Sequence, residues 1–262
     1  MIDAHLHLQH IPRKRVLESI LAEAPAREVD YFFCNAIKLA DCELLSELAA
    51  EYDSIIPFYG AHPWEVPNLT EGWDRELESY MAEPGCGVGE IGLDKARDID
   101  FTAQKDVFTR QIELAGQYRK PVMIHVVRAW GEVLPVLRKC AGSTVFLIHA
   151  FRGSVEVLEE LVDLGAYVTF SWKLFKQKYG EPVSKVKSLI RIVPEDRLLL
   201  ETDFPYIGEK VFSTLTAEKY FECLDETYHI AAALLDRDVE DLKNQTRRNG
   251  SAFLSLPSSN ES

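Results

Sequence analysis

Two histidines stand two positions apart near the start of the chain, within the apolar, strand-like run MIDAHLHL. Alternate side chains of an extended strand point to the same face, so His5 and His7 would project together and could offer two imidazoles to one metal ion. A pair this short also arises by chance or as an ordinary hydrogen-bonded core pair. Its meaning therefore depends on the rest of the chain.

Other side chains able to bind a metal stand at, or just past, the ends of later apolar runs. They are His62, Glu90, His125, His149 and Asp203. A single buried histidine is usually a hydrogen-bonded core residue, but that explanation would have to hold separately at each of these positions. Imidazole and carboxylate ligands without thiolates suit Zn²⁺, Mn²⁺, Fe²⁺ or Mg²⁺. The set therefore predicts a metal site.

The number of ligands indicates more than one ion. The six candidates other than His62 exceed what a tetrahedral ion takes, whereas two divalent ions bridged by a carboxylate would use all six. We expect Mg²⁺, Mn²⁺ or Zn²⁺ as the bound ions. A two-metal centre can activate water and stabilise both the attacking and the leaving oxygens, so these residues favour hydrolysis over redox chemistry.

Eight short apolar runs alternate with segments of helical spacing, and the candidate ligands follow these runs. The predicted strands lie at residues 1–8, 29–34, 54–59, 85–94, 121–125, 144–149, 166–170 and 197–203. Eight such repeats in a chain of 262 residues favour a closed (β/α)8 TIM barrel over an open doubly wound sheet. The C-terminal ends of barrel strands converge on one mouth, where the candidate ligands would meet. We expect a single α/β domain over residues 1–256 and a polar tail over 257–262.

Composition and charge limit the possible partners. A net charge of −13 argues against a protein that coats nucleic acid nonspecifically, although a local cationic cleft is compatible with it. Five widely spaced cysteines without a Cys-x-x-Cys pair favour reduced thiols and a cytoplasmic protein. We expect no membrane partner, because the chain begins without a secretory leader and has no apolar run long enough to span a bilayer.

Six stretches resemble the motifs of the TatD-like metal-dependent deoxyribonucleases, a family within the amidohydrolase-type barrels. They occur in the family's order and cover nearly the whole chain. They are 3–7 (DAHLH), 60–63 (GAHP), 87–94 (GVGEIGLD), 121–125 (PVMIH), 149–154 (HAFRGS) and 201–206 (ETDFPY).

The resemblance implies roles for individual residues. One ion would be held by His5, His7, Glu90 and Asp203, and the second by Glu90, His125 and His149, with Glu90 as the bridge. Asp203 would also orient or deprotonate the attacking water, so we expect Asp203 and Glu90 to be the catalytic residues, while His62 would face the scissile phosphate. The family's activities include exonucleolytic hydrolysis of DNA with a divalent metal.

The chain departs from the family pattern in loops that would contact a substrate. Arg152 stands where a small residue is usual, KARD at 95–98 replaces an aromatic or basic continuation, and IGEKVF at 207–212 replaces a loop with Arg-Gly and Asn. The missing arginine loop removes an expected phosphate contact. Arg152 is a candidate to restore it.

Cationic and aromatic residues after the seventh strand could bind a single strand of nucleic acid. Lys173, nearest the predicted strand end, is the best candidate; the others are Lys176, Lys178, Lys185, Lys187, Trp172, Phe175 and Tyr179. A solvated loop and helix face is the simpler explanation for Lys185 and Lys187. Trp64 and Phe204 adjoin predicted site residues and could either stack a base or line the pocket as packing.

These observations predict a divalent-metal-dependent hydrolase that cleaves phosphodiester bonds of DNA, in the manner of an exonuclease, with a metal-activated water. His62, Arg152 and Lys173 would contact the DNA or a small phosphodiester. A first alternative is a hydrolase of a small cyclic amide, lactone or phosphoester, which agrees with the lost arginine loop. A second is a barrel that serves as a component of a larger assembly and exposes an apolar patch for its partner.

Overall fold

The computed structural model describes residues 1–177, 182–206 and 215–255 and contains an eight-stranded parallel sheet. Each strand pairs with the next along the chain, as in a barrel. The strands are β1 (Ile2–Leu6), β2 (Tyr31–Asn35), β3 (Ile55–Tyr59), β4 (Gly87–Asp94), β5 (Val122–Val127), β6 (Phe146–Ile148), β7 (Tyr167–Ser171) and β8 (Leu198–Glu201). The predicted single-domain TIM barrel is therefore confirmed. Strand ends differ slightly from the prediction; β5, for example, continues past His125 to Val127.

Helices follow the strands, two of them after β8, and bury their apolar faces against the barrel. They are α1 (Lys14–Glu23), α2 (Ala40–Glu51), α3 (Trp73–Met81), α4 (Phe101–Gln117), α5 (Trp130–Cys140), α6 (Val155–Asp163), α7 (Trp172–Phe175), α8 (Val183–Ile192), α9 (Ala217–Leu235) and α10 (Val239–Leu254). The sequence did not predict α7, because a four-residue helix is too short to show apolar periodicity. Within the described parts of the chain, no helix is long and apolar enough to cross a membrane.

The barrel closes between β1 and β8 through backbone hydrogen bonds beside the mouth. The N–H of Asp203 donates to the carbonyl of His5 at 3.0 Å, and the N–H of His7 donates to the carbonyl of Phe204 at 2.7 Å. This closure brings the candidate ligands of the first and last strands next to each other.

A buried carboxylate joins the same two strands. Asp3 accepts hydrogen bonds from the backbone N–H of Thr202 at 2.9 Å, the hydroxyl of Thr202 at 2.6 Å and the hydroxyl of Tyr220 at 3.2 Å. Burial raises the pKa of Asp3 to about 7, because removal from water disfavours the charged form. Asp3 therefore links β1, β8 and α9 in the interior of the protein.

Apolar side chains fill the part of the barrel away from the mouth. This interior cluster contains Ile2, Ala4, Phe33, Phe58, Met123, Leu147, Tyr167, Leu199 and Phe253. Gly87 makes room for it, since a Cβ at that position would lie 2.2 Å from the ring of Phe58. Because this region is apolar, the polar interior groups collect at the other end.

Irregular pairing in β1 and β4 aims two of those groups into the mouth. The pairing of β1 with β2 shifts between residues 3 and 6, and that of β4 with β5 shifts between residues 88 and 91. His5 and Glu90 lie within these intervals. Ala4 already faces the interior cluster, so strict alternation would turn His5 outward. The irregularity lets His5 point inward as well, as β-bulges do beside active sites.

Candidate metal centre

The seven candidate residues converge at the C-terminal end of the barrel. Each stands in or directly after a strand other than β2 or β7, and none has a side chain more than 12% exposed. The set is His5, His7, His62, Glu90, His125, His149 and Asp203. Buried ionisable groups at this density require partners or a metal ion.

Glu90 lies at the centre of the cluster, with its two carboxylate oxygens facing different histidines. Oε2 lies 3.2 Å from Nε2 of His5 and 3.6 Å from Nε2 of His7. Oε1 lies 2.9 Å from Nδ1 of His125, 3.6 Å from Nε2 of His62 and 3.8 Å from Nε2 of His149. The imidazoles therefore form two groups that share one carboxylate.

The electrostatics of Glu90 and His7 match the protonation states that a metal needs. Burial alone would raise the pKa of Glu90, but the surrounding imidazoles outweigh it, and the pKa lies well below its usual value. Burial, aided by the neighbouring His5, lowers the pKa of His7 well below its usual value. Glu90 is thus ionised and His7 neutral, as required of metal ligands.

A backbone carbonyl orients His7. Nδ1 of His7 lies 2.7 Å from the carbonyl oxygen of Asn35 at the end of β2. The carbonyl can only accept, so Nδ1 carries the proton and Nε2 turns its lone pair toward Glu90 and toward Oδ1 of Asp203, 3.7 Å away. Nε2 of His5 lies 3.2 Å from Nε2 of His7 and points to the same place. Sequence reasoning could not find the Asn35 carbonyl, because a backbone group carries no sequence signal.

Glu201 contacts Nδ1 of His149, whereas Nε2 of the same ring faces Glu90. Oε1 of Glu201 lies 2.8 Å from Nδ1 of His149, while Oε2 accepts the hydroxyl hydrogen of Thr169. The angle at His149 departs from that of a well-aligned hydrogen bond, as is common in sites without bound substrate. Burial opposes protonation of His149, but Glu201 and Glu90 outweigh it and raise its pKa to about 9. Glu201 lay within a recognised motif, but its sequence position did not reveal this role.

Asp94 supports His125 on the side away from Glu90. Oδ2 of Asp94 lies 3.3 Å from Nε2 of His125 and accepts the indole N–H of Trp64 at 2.7 Å. Burial would raise the pKa of Asp94, but these hydrogen bonds lower it to about 2. The ring of His125 is therefore held with Nδ1 facing Glu90. Asp94 was also part of a motif to which the sequence assigned no role.

His62 presents a proton to the site, not a lone pair. Its Nδ1 accepts the backbone N–H of Trp64 at 3.2 Å, so Nε2 carries the proton of the neutral ring. Burial and the neighbouring His125 lower the pKa of His62 to about 4, which keeps the ring neutral at pH 7. Although His62 groups with Glu90 and His125 by distance, this tautomer favours donation to a substrate over metal ligation.

The other two candidate substrate contacts also lie at the mouth. The ammonium of Lys173 donates to Oδ2 of Asp203 at 2.6 Å, so this lysine directly contacts a candidate catalytic carboxylate. Arg152 lines a recess together with His125 and His149. Both therefore stand where a bound substrate would reach them.

The structure separates several aromatic candidates from the site. Phe204 is fully buried and packs edge-to-face on Tyr220, which favours packing over base stacking. Trp172 and Phe175 are also buried in the core. Lys176 donates to Oε1 of Glu226 at 3.0 Å, and Lys185 and Lys187 lie on α8. The predictions for Lys178, Tyr179, the loop at 207–212 and the tail at 257–262 lie outside the described residues.

The described residues fit a divalent metal. Three groups have ligand atoms within 4.8 Å of one another: His5, His149 and Asp203; His5, His7 and Glu90; and His62, Glu90 and His125. The donors are imidazole nitrogens and carboxylate oxygens, which suit Zn²⁺ and Mn²⁺. The groups overlap at His5 and Glu90 and so form one continuous centre. The number of ions and the ligands of each stay predictions.

Comparison with known proteins assigns the chain to a family. The sequence profile described as TatD related DNase matches residues 2–255. The uncharacterized metal-dependent hydrolase YabD of Bacillus subtilis is 28% identical over 260 residues, covering 92% of this chain and 98% of YabD. The 3′-5′ ssDNA/RNA exonuclease TatD of Edwardsiella piscicida is 28% identical over 214 residues, covering 79% of this chain and 80% of that protein.

A solved structure gives the same result for the fold. The crystal structure of YJJV, a TatD homolog from Escherichia coli K12, superposes with a TM-score of 0.84 at 23% identity and covers 98% of both chains. The resemblance drawn from the sequence motifs is confirmed by the family match across nearly the whole chain. The chain therefore belongs to the TatD related DNase family and is a metal-dependent hydrolase.

Proposed function

We propose that the protein hydrolyses phosphodiester bonds of DNA in the manner of an exonuclease, using two divalent metal ions. The observation that carries this proposal is the position of Glu90, whose two oxygens face two separate groups of imidazoles. A carboxylate shared in this way is the natural bridge of a two-ion centre. The name of the Edwardsiella relative, an exonuclease for single-stranded DNA and RNA, supports the choice of substrate.

The ligands would divide between the two sides of Glu90. His5, His7 and Asp203 would complete one ion site, while His125 and His149 would complete the other. Two divalent ions held there would supply a water of lowered pKa and stabilise the charges on the attacking and leaving oxygens of a phosphodiester.

The chain's own residues would bind the phosphate and move the proton. The Nε2–H of His62 would donate to a phosphate oxygen, and Arg152 would add positive charge at the recess. Asp203 would orient or deprotonate the attacking water, while Lys173 donates to Oδ2 of the same carboxylate. Lys173 thus holds the carboxylate in one orientation.

Replacement of Glu90 tests this function. Single-stranded DNA labelled at either end would be incubated with the wild-type protein and with Glu90→Gln, in Mg²⁺ or Mn²⁺, and the products separated by length. We expect Glu90→Gln to lose about 100-fold in rate or more, since even groups outside the ligand shell are worth 10- to 100-fold. Glu160→Gln is the matched control, because Glu160 pairs with Arg138 on outer helices.

Two outcomes would contradict the proposal. Cleavage by Glu90→Gln at the wild-type rate would remove Glu90 from the mechanism. Intact DNA combined with hydrolysis of a lactone, cyclic amide or small phosphoester by the wild-type protein would replace DNA as the substrate.

A further inference from the structure

Two large aromatic side chains stay exposed at the mouth of the barrel, beside the metal centre. Trp64, which follows β3, is 40% exposed, and Tyr206, which follows β8, is 36% exposed. Trp64 contacts the imidazole of His62 with ring centroids 4.7 Å apart. Tyr206 contacts the imidazole of His7 with centroids 5.3 Å apart. The two rings therefore flank the two sides of the centre that Glu90 separates.

Trp64 is held rigidly despite its exposure. Its indole N–H donates to Oδ2 of Asp94 at 2.7 Å, and Oδ1 of Asp94 accepts the backbone N–H of Ala96 at 2.7 Å. The guanidinium of Arg97 lies over the indole, 4.3 Å from the ring centroid. These contacts fix the orientation of the indole ring and place the guanidinium of Arg97 over its face.

Tyr206 is held by a chain of polar groups that the metal centre does not use. Its hydroxyl lies 2.7 Å from Nδ1 of His10, and Nε2 of His10 lies 2.9 Å from Oδ2 of Asp41. The same oxygen of Asp41, a fully buried residue, accepts the backbone N–H groups of Ile37 and Lys38. Three linked side chains thus fix the tilt of one exposed ring.

We infer that Trp64, with Arg97, and Tyr206 are stacking surfaces for the two nucleobases on either side of the scissile phosphate. This inference rests on the proposed nuclease function and names the part of the substrate that the site recognises. The ligand is single-stranded nucleic acid with a base on each side of the cleaved bond.

Trp64 and Tyr206 are exposed to solvent but held in place by hydrogen bonds. Exposed aromatic rings fixed by hydrogen bonds have already lost the conformational freedom that stacking a base would otherwise remove. Every base has a π-face, so such rings bind single strands without reading sequence, and an arginine plane can also receive a base. A net charge of −13 gives the protein little general attraction for nucleic acid, so local contacts of this kind must hold the strand.

Substrates that lack single bases test the inference. Oligonucleotides of DNA, and of RNA with the same sequence, would carry a stable abasic analogue at the nucleotide on one or the other side of the cleaved bond. The values of kcat and KM would be measured for the wild-type protein, Trp64→Ala and Tyr206→Ala. Tyr118→Ala is the matched control, because Tyr118 is equally exposed and hydrogen-bonded to Glu78 but belongs to the end of α4.

We expect Trp64→Ala to lower kcat/KM about 5- to 100-fold on the complete substrate, mainly through KM. On the substrate that lacks the base next to Trp64 the same variant should match the wild-type protein. Tyr206→Ala should show this pattern for the base on the other side, and Tyr206→Phe, which keeps the ring, should retain most of the activity. Tyr118→Ala should not change either parameter.

Two results would overturn the inference. If both variants lose equal activity on complete and abasic substrates, the rings only support the metal centre. If both cleave complete substrates like the wild-type protein, the rings bind no base, while the proposed function stands. A wild-type protein that cleaves none of the oligonucleotides would instead reject the proposed function, and the inference with it.

Discussion

Replacement of Glu201 by Gln tests whether a buried carboxylate holds His149 ready to bind metal. Glu201 is fully buried, and its Oε1 lies 2.8 Å from Nδ1 of His149. Its other oxygen accepts the hydroxyl hydrogen of Thr169, which in turn accepts the backbone N–H of Ala150 at 2.9 Å. This arrangement keeps the proton on Nδ1 and leaves Nε2 facing the centre. Glutamine has the same shape and no charge.

The expected loss follows from the contact that changes. Outer partners of metal-bound histidines contribute about 10- to 100-fold in metal affinity. Each factor of ten corresponds to about 1.4 kcal/mol. Glu201→Gln keeps an acceptor, so we expect about a 10-fold loss. Glu201→Ala leaves His149 and Thr169 without their buried partner, so we expect about a 100-fold loss.

The assay is calorimetric titration of Mn²⁺ into the wild-type protein, the two Glu201 variants and the surface control Glu160→Gln. Nitrogen-15 NMR of the imidazoles would show which nitrogen of His149 carries the proton. Urea unfolding without metal would separate loss of folding from loss of binding. A folded Glu201→Gln protein with wild-type Mn²⁺ affinity and an unchanged His149 tautomer would refute the reasoning.

Substitutions at Asp3, Tyr220 and His62 separate stability from chemistry. Asp3→Ala removes the acceptor of four buried hydrogen bonds, so we expect urea unfolding to show a loss of about 2–4 kcal/mol. Tyr220→Phe removes one of them and should cost about 1 kcal/mol. Unfolding midpoints equal to the wild-type value would contradict a role in closing the barrel. His62→Ala should lower kcat on an oligonucleotide about 100-fold and leave Mn²⁺ affinity unchanged, because Nε2 of His62 carries a proton. A large fall in Mn²⁺ affinity would make His62 a ligand instead.

The barrel was predictable because its signals are local. Each strand is a short apolar run, and a helical segment follows it at regular spacing, so the eight repeats are visible without knowledge of any contact. The convergence of the candidate residues was predictable for a similar reason, since each lies in or shortly after one of these runs. The short helix α7 and the exact strand ends carry no comparable pattern, and they were missed or displaced.

The residues that orient the candidate ligands were not predictable, because they contact those ligands from other strands of the barrel. Glu201 reaches His149 from another strand, Asp94 reaches His125, and a carbonyl of Asn35 orients His7. The spacing of these residues along the sequence does not predict such contacts. For the same reason the sequence could not distinguish the roles of Phe204 and Tyr206, two aromatic residues of the motif at 201–206. Either could have faced a substrate, and only the fold shows that Phe204 is buried.

The register of β1 explains why the His-x-His pair alone was a weak signal. Strict alternation predicts that His5 and His7 share a face, which is correct, but it does not say that this face is the interior. Ala4 also faces the interior cluster, so His5 reaches the mouth only because the pairing with β2 is irregular there. The equivalent irregularity in β4 spans Glu90. In the proposed metal centre, the placement of His5 and Glu90 would therefore depend on two local departures from regular sheet geometry. A substitution that restored regular pairing at either one would turn that side chain away from the mouth.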